Sequence, residues 1–127
     1  MLKILCFFKR RPGMTRAEFR AYYEANHAPL IEKMIPFYIS YKRNFVEDVQ
    51  DYKPAHITNN TDDSDEFDVM TELTFSSRDM LDKMMHTLSN PEVGDVIAAD
   101  EANLFDRDSV TILIVDEVSS PELAHNA

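Results

Sequence analysis

Apolar and polar positions along the chain fall into short periodic stretches separated by turn residues. Leu2 to Lys9 is almost continuously apolar and β-prone, the pattern of a strand covered on both faces. Arg11-Pro12-Gly13 breaks it with a turn. Thr15 followed by Glu18 forms a capping box, which predicts a helix start. At about 100° per residue, Phe19, Tyr22, Tyr23, Asn26, Leu30 and Met34 share one stripe, with Glu18, Arg20, Glu24 and Glu32 off it. Pro29 lacks an amide and clashes with the Ala25 carbonyl, so the helix is expected to kink or end near Asn26-His27.

Phe37 to Val46 alternates: Phe37, Ile39, Tyr41, Arg43 and Phe45 face one way, which predicts a second strand. Residues 47–66 lack periodicity and carry Asp48, Asp51, Asp62, Asp63, Asp65 and Glu66, a loop of a length that is usually functional or mobile. Asp68 to Phe75 reads as a third strand. Ser76-Ser77 opens a helix with Met80, Leu81, Met84, Met85 and Leu88 inward. Asn90-Pro91 ends it and starts another, with Val93, Val96, Ile97 and Leu104 inward. Val110 to Val118 is a last strand, and residues 119–127 form a polar, frayed tail.

The order β-α-β-β-α-β over residues 1–118 is the ferredoxin-like split βαβ topology, an α+β domain with a four-stranded antiparallel sheet and helices on one face. The first and last strands are apolar in both alternation sets, Ile4, Cys6 and Phe8 against Leu5 and Phe7, and Val110, Ile112 and Ile114 against Leu113 and Val115. A sheet apolar on both faces must cover the second one. A second copy of the chain is the expected cover, giving a homodimeric α+β barrel with a pocket between sheet and helices; the alternative is loop 47–66 folding over the sheet.

Composition narrows the function classes. The 127 residues argue for one domain, and the hydrophobic share of 44% supplies a core. Net charge is −10, but residues 1–43 hold nine Lys/Arg against three Asp/Glu, a local net of +6. An acidic whole argues against nucleic acid. The basic first third is read as pairing with the acidic remainder, the other possibility being a local anion site. No apolar run approaches the roughly 20 residues of a bilayer span, which points away from membranes. Cys6 is the single cysteine, so disulfide and cysteine-zinc frameworks are excluded. The N-terminus lacks a cleavage site, and a reducing cytoplasmic compartment is expected. The two glycines, Gly13 and Gly94, are too few for a phosphate-cradling loop.

Four groups could carry chemistry. His27, four residues after Tyr23 and beside Pro29, sits at a boundary where an imidazole can be tuned for proton transfer; alternatively it bonds the freed Ala25 carbonyl or caps the helix. His56 lies in the long loop, where it could close a pocket or simply be solvated. Asp100 falls on the apolar side of the last helix, where a carboxylate needs a partner. It pairs with a tyrosine or a cation such as Arg43, or lines a polar cavity, or holds the fold. Tyr22, Tyr23 and Tyr41 are core by default, with a tyrosine at a pocket wall able to donate to an oxygen. His86 faces water and His125 belongs to the tail; no histidine pair has metal-ligand spacing, so no metal is expected, and no organic cofactor is expected either.

The run Lys9-Arg10-Arg11-Pro12-Gly13-Met14-Thr15, followed by Phe19, Tyr22-Tyr23-Glu24 and His27-Ala28-Pro29-Leu30, strongly resembles the EthD-domain family. Asn90-Pro91 through Asp100-Glu101 and Phe105 is similar to that family's second helical region. The resemblance implies a dimeric α+β barrel and an active-site role for His27. Members include cofactor-independent dehydratases, decarboxylases and cyclases of aromatic polyketide pathways, besides proteins accompanying ether and aromatic degradation. Loop 47–66 matches no family pattern. The absence of Trp disfavours the related cofactor-free monooxygenases and haem degraders.

The expectation is therefore a cofactor-free lyase or cyclase of a small aromatic, polyketide-like or aromatic-catabolic substrate. His27, His56 and Asp100 would be its catalytic candidates, with Tyr22, Tyr23, Tyr41 and Arg43 binding substrate. Two alternatives are a non-catalytic carrier or accessory protein for a hydrophobic aromatic compound, and a purely structural dimeric module.

Overall fold

A computed structural model describes residues 1–57 and 66–125. Four strands, β1 (Leu2–Phe8), β2 (Ser40–Phe45), β3 (Val69–Phe75) and β4 (Thr111–Asp116), form one antiparallel sheet in the order β2-β3-β1-β4. Helices α1 (Arg16–Tyr22), α2 (Ala28–Met34), α3 (Arg78–Leu88) and α4 (Pro91–Glu101) complete the expected α+β arrangement. Asp62, Asp63 and Asp65 of the acidic loop lie outside the described residues.

The register sorts the faces. Tyr41, Leu73, Ile4 and Ile114 form one cross-strand row toward the helices, and Arg43, Thr71, Cys6 and Ile112 the next. Ile4, Cys6 and Phe8 alternate into the core, where Phe8 stacks on Phe105 at 4.0 Å and Phe19 meets Tyr23, Phe45 and Phe105 edge-on or tilted. On the far face, Lys3 is buried between Glu72 and Glu117, which together raise its pKa, while Phe7 and Leu113 lie further along.

The capping box forms as expected: Thr15 Oγ1 accepts from the Glu18 amide at 3.1 Å and the Thr15 amide donates to Glu18 Oε1 at 3.0 Å. The helix, however, does not end at Asn26-His27. A π-helical turn, Tyr23–His27, joins α1 to α2, with the Ala28 amide donating to the Tyr23 carbonyl five residues back. Pro29 has no amide to give and sits in the first turn of α2, where the wider turn accommodates it.

Three further expectations need correction. β2 begins at Ser40 rather than Phe37, because Pro36-Phe37 is spent turning the chain from α2 to the sheet. Val96 and Met85 are exposed; the inward positions of α3 and α4 centre on Leu81, Met84 and Ile97. The helical stripe runs through Phe19, Tyr23, His27 and Ile31, not through Asn26, which is exposed.

Ion pairs join the basic first third to later acidic residues. Asp68, buried, accepts from the Arg10 amide at 2.8 Å, from the Arg10 guanidinium at 2.5 Å and from Arg16 at 3.0 Å. That ties the β1–α1 turn to the start of β3. Gly13 (φ 86°) supplies the left-handed residue of this turn. Gly94 lets α4 approach α3: a Cβ there would lie 2.3 Å from the Leu88 carbonyl oxygen.

Candidate active site

Between the helices and the sheet lies a cavity of about 170 Å³, walled largely by Ile4, Phe8, Ile31, Leu73, Met84 and Ile97. His27 and Glu101 enter it from the helices, and Tyr23, Tyr41, Thr71 and Cys6 complete its polar side. The cavity opens toward β4 at Ile112 and Met85, both exposed.

The π turn determines where His27 points. In a regular α-helix each four-residue step drifts about 40° around the axis, so three steps from Phe19 to Ile31 would drift about 120°. One wide turn offsets this drift and keeps Phe19, Tyr23, His27 and Ile31 on the inner face. His27 is consequently 3% exposed, edge-on to the Tyr23 and Phe105 rings at 5.0 and 5.3 Å.

Its Nδ1 lies 2.9 Å from Asp100 Oδ2. The other Asp100 oxygen accepts from the Tyr22 hydroxyl at 2.6 Å, and Asn103 donates to that hydroxyl at 3.4 Å. A carboxylate accepts, so Nδ1 carries the proton and Nε2 keeps its lone pair. No described residue bonds Nε2, and no unpartnered polar side-chain atom among the described residues is sealed from solvent, so Nε2 is reachable. Burial lowers the His27 pKa from its ordinary 6.5, with the Asp100 hydrogen bond and charge opposing that shift. The imidazole is therefore a neutral base in an apolar enclosure.

A second polar group is made of hydroxyls. Tyr23 shares hydrogen bonds with Thr71 Oγ1 at 2.7 Å and with the Tyr41 hydroxyl at 3.0 Å. Burial pushes the Tyr23 phenol up to about 12 and the Tyr41 phenol higher still. Both are proton-bearing donors near neutral pH. The Cys6 thiol, likewise raised to about 12 by burial, is unreactive.

The sequence candidates thus separate. His27, Tyr23 and Tyr41 line the cavity, whereas Asp100 and Tyr22 stand behind His27 and fix its ring. Asp100 pairs with His27 and Tyr22, not with Arg43. Arg43 instead grips both oxygens of Glu24, at 2.7 and 2.9 Å, and lies over the Tyr41 ring at 4.7 Å. His56 is exposed in its loop and is absent from the cavity wall. His27 neither caps a helix end, since the helix continues into α2, nor needs the Ala25 carbonyl for its Nδ1.

Glu101 escaped the sequence reading. It follows Ile97 by four residues on α4, the spacing that marks the inner face, whereas a stripe through Val96 puts Asp100 on that face instead. Burial raises the Glu101 carboxyl pKa from its ordinary value; the Arg107 charge opposes this and the Asp100 charge adds to it. Among the described residues no group of three or more His, Cys, Asp or Glu is placed to hold a metal ion.

The EthD domain profile matches residues 11–108, a span that takes in β2, β3, all four helices and every residue of the His27–Asp100–Tyr22 array. The chain belongs to the EthD-domain family. Among solved structures, an EthD family protein from Bacillus halodurans C-125 superimposes with a TM-score of 0.61 at 19% identity, covering 93% of this chain and 99% of that one. A protein from Arabidopsis thaliana matches with a TM-score of 0.58 at 13% identity, over 96% and 100% of the two chains. An antibiotic biosynthesis monooxygenase follows at 0.50 and 16%, over 94% and 100%. At these identities the likeness is one of fold. Comparison with curated protein sequences gives no match. No helix among the described residues of this EthD protein is long and apolar enough to cross a membrane.

Proposed function

We propose that this EthD protein is a cofactor-independent lyase or cyclase whose general base is His27. The observation that carries the reading is the hydrogen-bond relay Tyr22–Asp100–His27, which leaves an unprotonated Nε2 at an apolar cavity. A base so held removes a proton from a carbon next to a carbonyl, the step that dehydration, decarboxylative rearrangement and aldol cyclisation share. Asp100 is a positioning residue: it fixes the tautomer and stabilises the imidazolium once the proton has moved. The Tyr23 and Tyr41 hydroxyls, bonded to each other and Tyr23 also to Thr71, form a neutral polar strip of the wall along which the substrate lies. Apolar walls exclude water from the oxygen that gains charge and strengthen any hydrogen bond made to it.

Cavity size favours a compact substrate. A closed apolar space of about 150 Å³ holds benzene, so about 170 Å³ accommodates one ring with short substituents and leaves larger portions to emerge past Ile112. A single-ring aromatic carbonyl compound fits this better than a fused polycycle.

The test is deuterium incorporation at the methyl carbon of acetophenone in D₂O. Wild type should accelerate exchange over buffer, and His27→Ala should lower the rate by about 10²- to 10⁴-fold, the usual contribution of a positioned base. Binding of acetophenone without accelerated exchange would contradict a base and point to the carrier reading.

A further inference from the structure

Glu101 and Asp100 are consecutive, yet they do different work. Asp100 is tied to His27 and Tyr22, while Glu101 lines the same cavity as His27. The Glu101 side chain has no hydrogen-bond partner among the described residues. Its charge is felt at the Cys6 thiol, which belongs to the same cavity wall on β1. A carboxyl group in an apolar chamber, without a cation bonded to it, is costly to ionise and is most readily kept as the neutral acid.

We propose that Glu101 is the proton donor of this cavity, binding the carbonyl oxygen of a single-ring aromatic ketone or aldehyde whose neighbouring carbon faces His27. The inference rests on the base role proposed for His27 and supplies its acid partner. In the forward step His27 Nε2 takes the proton from the carbon, and the C–H electron pair becomes the C=C bond of an enol. The carbonyl π pair moves onto oxygen, which takes the Glu101 proton. The products are an enol, an imidazolium and a carboxylate, and reversing the transfers restores all three groups. The chamber also selects against anionic ligands, since its lining residues include no Lys or Arg and burying a benzoate carboxylate there costs more than one hydrogen bond from Glu101 returns.

The charges of Arg107, from the segment after α4, and of Asp100, from its own helix, act on Glu101, its charge acts on Cys6 of β1, and His27, Tyr23 and Tyr41 are the other titratable groups lining its cavity. As pH rises through its raised pKa, Glu101 loses its proton and the carbonyl loses its donor. Binding of toluene, acetophenone and benzoate, followed by ¹⁵N-edited NMR titration of wild type, Glu101→Gln and Glu101→Leu, tests this. At mildly acidic pH wild type should bind acetophenone about fivefold more tightly than toluene, the worth of one neutral hydrogen bond, and benzoate less well than either. That preference should fade with rising pH in wild type, persist at all pH in Glu101→Gln, which keeps an N–H donor, and vanish in Glu101→Leu. Toluene and acetophenone binding alike in wild type, or Glu101→Leu retaining the preference, would overturn the proposal while leaving the cavity and His27 intact. Failure of toluene to shift cavity resonances would overturn the cavity reading itself, and the role of Glu101 with it.

Discussion

At the residue scale the site depends on one carboxylate holding one imidazole. Asp100 receives both the His27 Nδ1 proton and the Tyr22 hydroxyl, so its replacement by Asn puts an amide where two donors converge. An amide nitrogen turned toward Nδ1 would move the ring proton to Nε2 and disable the base. Asp100→Asn should therefore slow α-deuteration by on the order of 10²-fold or more with little change in acetophenone affinity, a split that rate and binding measurements resolve. His27 also leaves a mark on stability. Its folded pKa lies below the ordinary 6.5, so below that pH the unfolded chain binds a proton that the native state refuses. The stability present above about pH 6.5 is lost as pH falls through the lower folded value. Thermal melting of wild type should thus fall more steeply between about pH 7 and 5 than that of His27→Gln. Glu101 has the opposite sign: its raised pKa makes ionisation destabilising as pH rises, so Glu101→Gln should gain melting temperature over wild type toward alkaline pH.

At the scale of elements the π turn is the decisive device. Deleting exposed Asn26 would return Tyr23–His27 to ordinary α-helical pitch, with Phe19, Tyr23 and Ile31 still able to face the core. The histidine would then stand three residues after Tyr23 instead of four, swung about 60° from the inner stripe by the difference between an even 100° pitch and a full turn. Such a deletion should leave the circular-dichroism melt cooperative but abolish α-deuteration; retained exchange would show that the turn does not aim the base. The same turn explains how far the sequence could be read. The order of elements along the chain, the capping box of α1 and the break at Asn90-Pro91 follow from local spacing and turn chemistry, and they are present. His27 and the anomaly of Asp100 were legible as residues, because a carboxylate among apolar positions and a histidine next to a proline both break a pattern. The phase of the helix after Tyr23 was not, since a 3.6-residue period has no means of registering one extra residue. Glu101 was missed for a related reason: Val96 looked inward by composition, and only packing decides that Ile97 takes that place.

For the whole molecule the exposed apolar surface is β4 and the sheet face beside it. Ile112, Leu113 and Ile114 are each about half exposed, on both sides of an edge strand, while Phe67 packs edge-on against Phe7 of the neighbouring strand. We propose that a second copy of the chain covers this surface and closes the mouth of the cavity at Ile112, completing the dimeric barrel expected from the sequence. Light scattering should give a particle of twice the 14.7 kDa chain, and Leu113→Lys should shift it toward monomer without unfolding it. A monomeric wild type at micromolar concentration would remove this part of the account and leave the cavity open along β4.

The protonation state of His27 tests the central claim without requiring a substrate. Imidazole ¹⁵N chemical shifts, followed from acid to alkaline pH in wild type, distinguish the two neutral tautomers and the imidazolium. The account predicts a neutral ring at pH 7 with its proton on Nδ1, an unprotonated Nε2 that shifts when toluene enters the cavity, and protonation only below the ordinary histidine value. A ring protonated on Nε2, or already charged at pH 7, would contradict it.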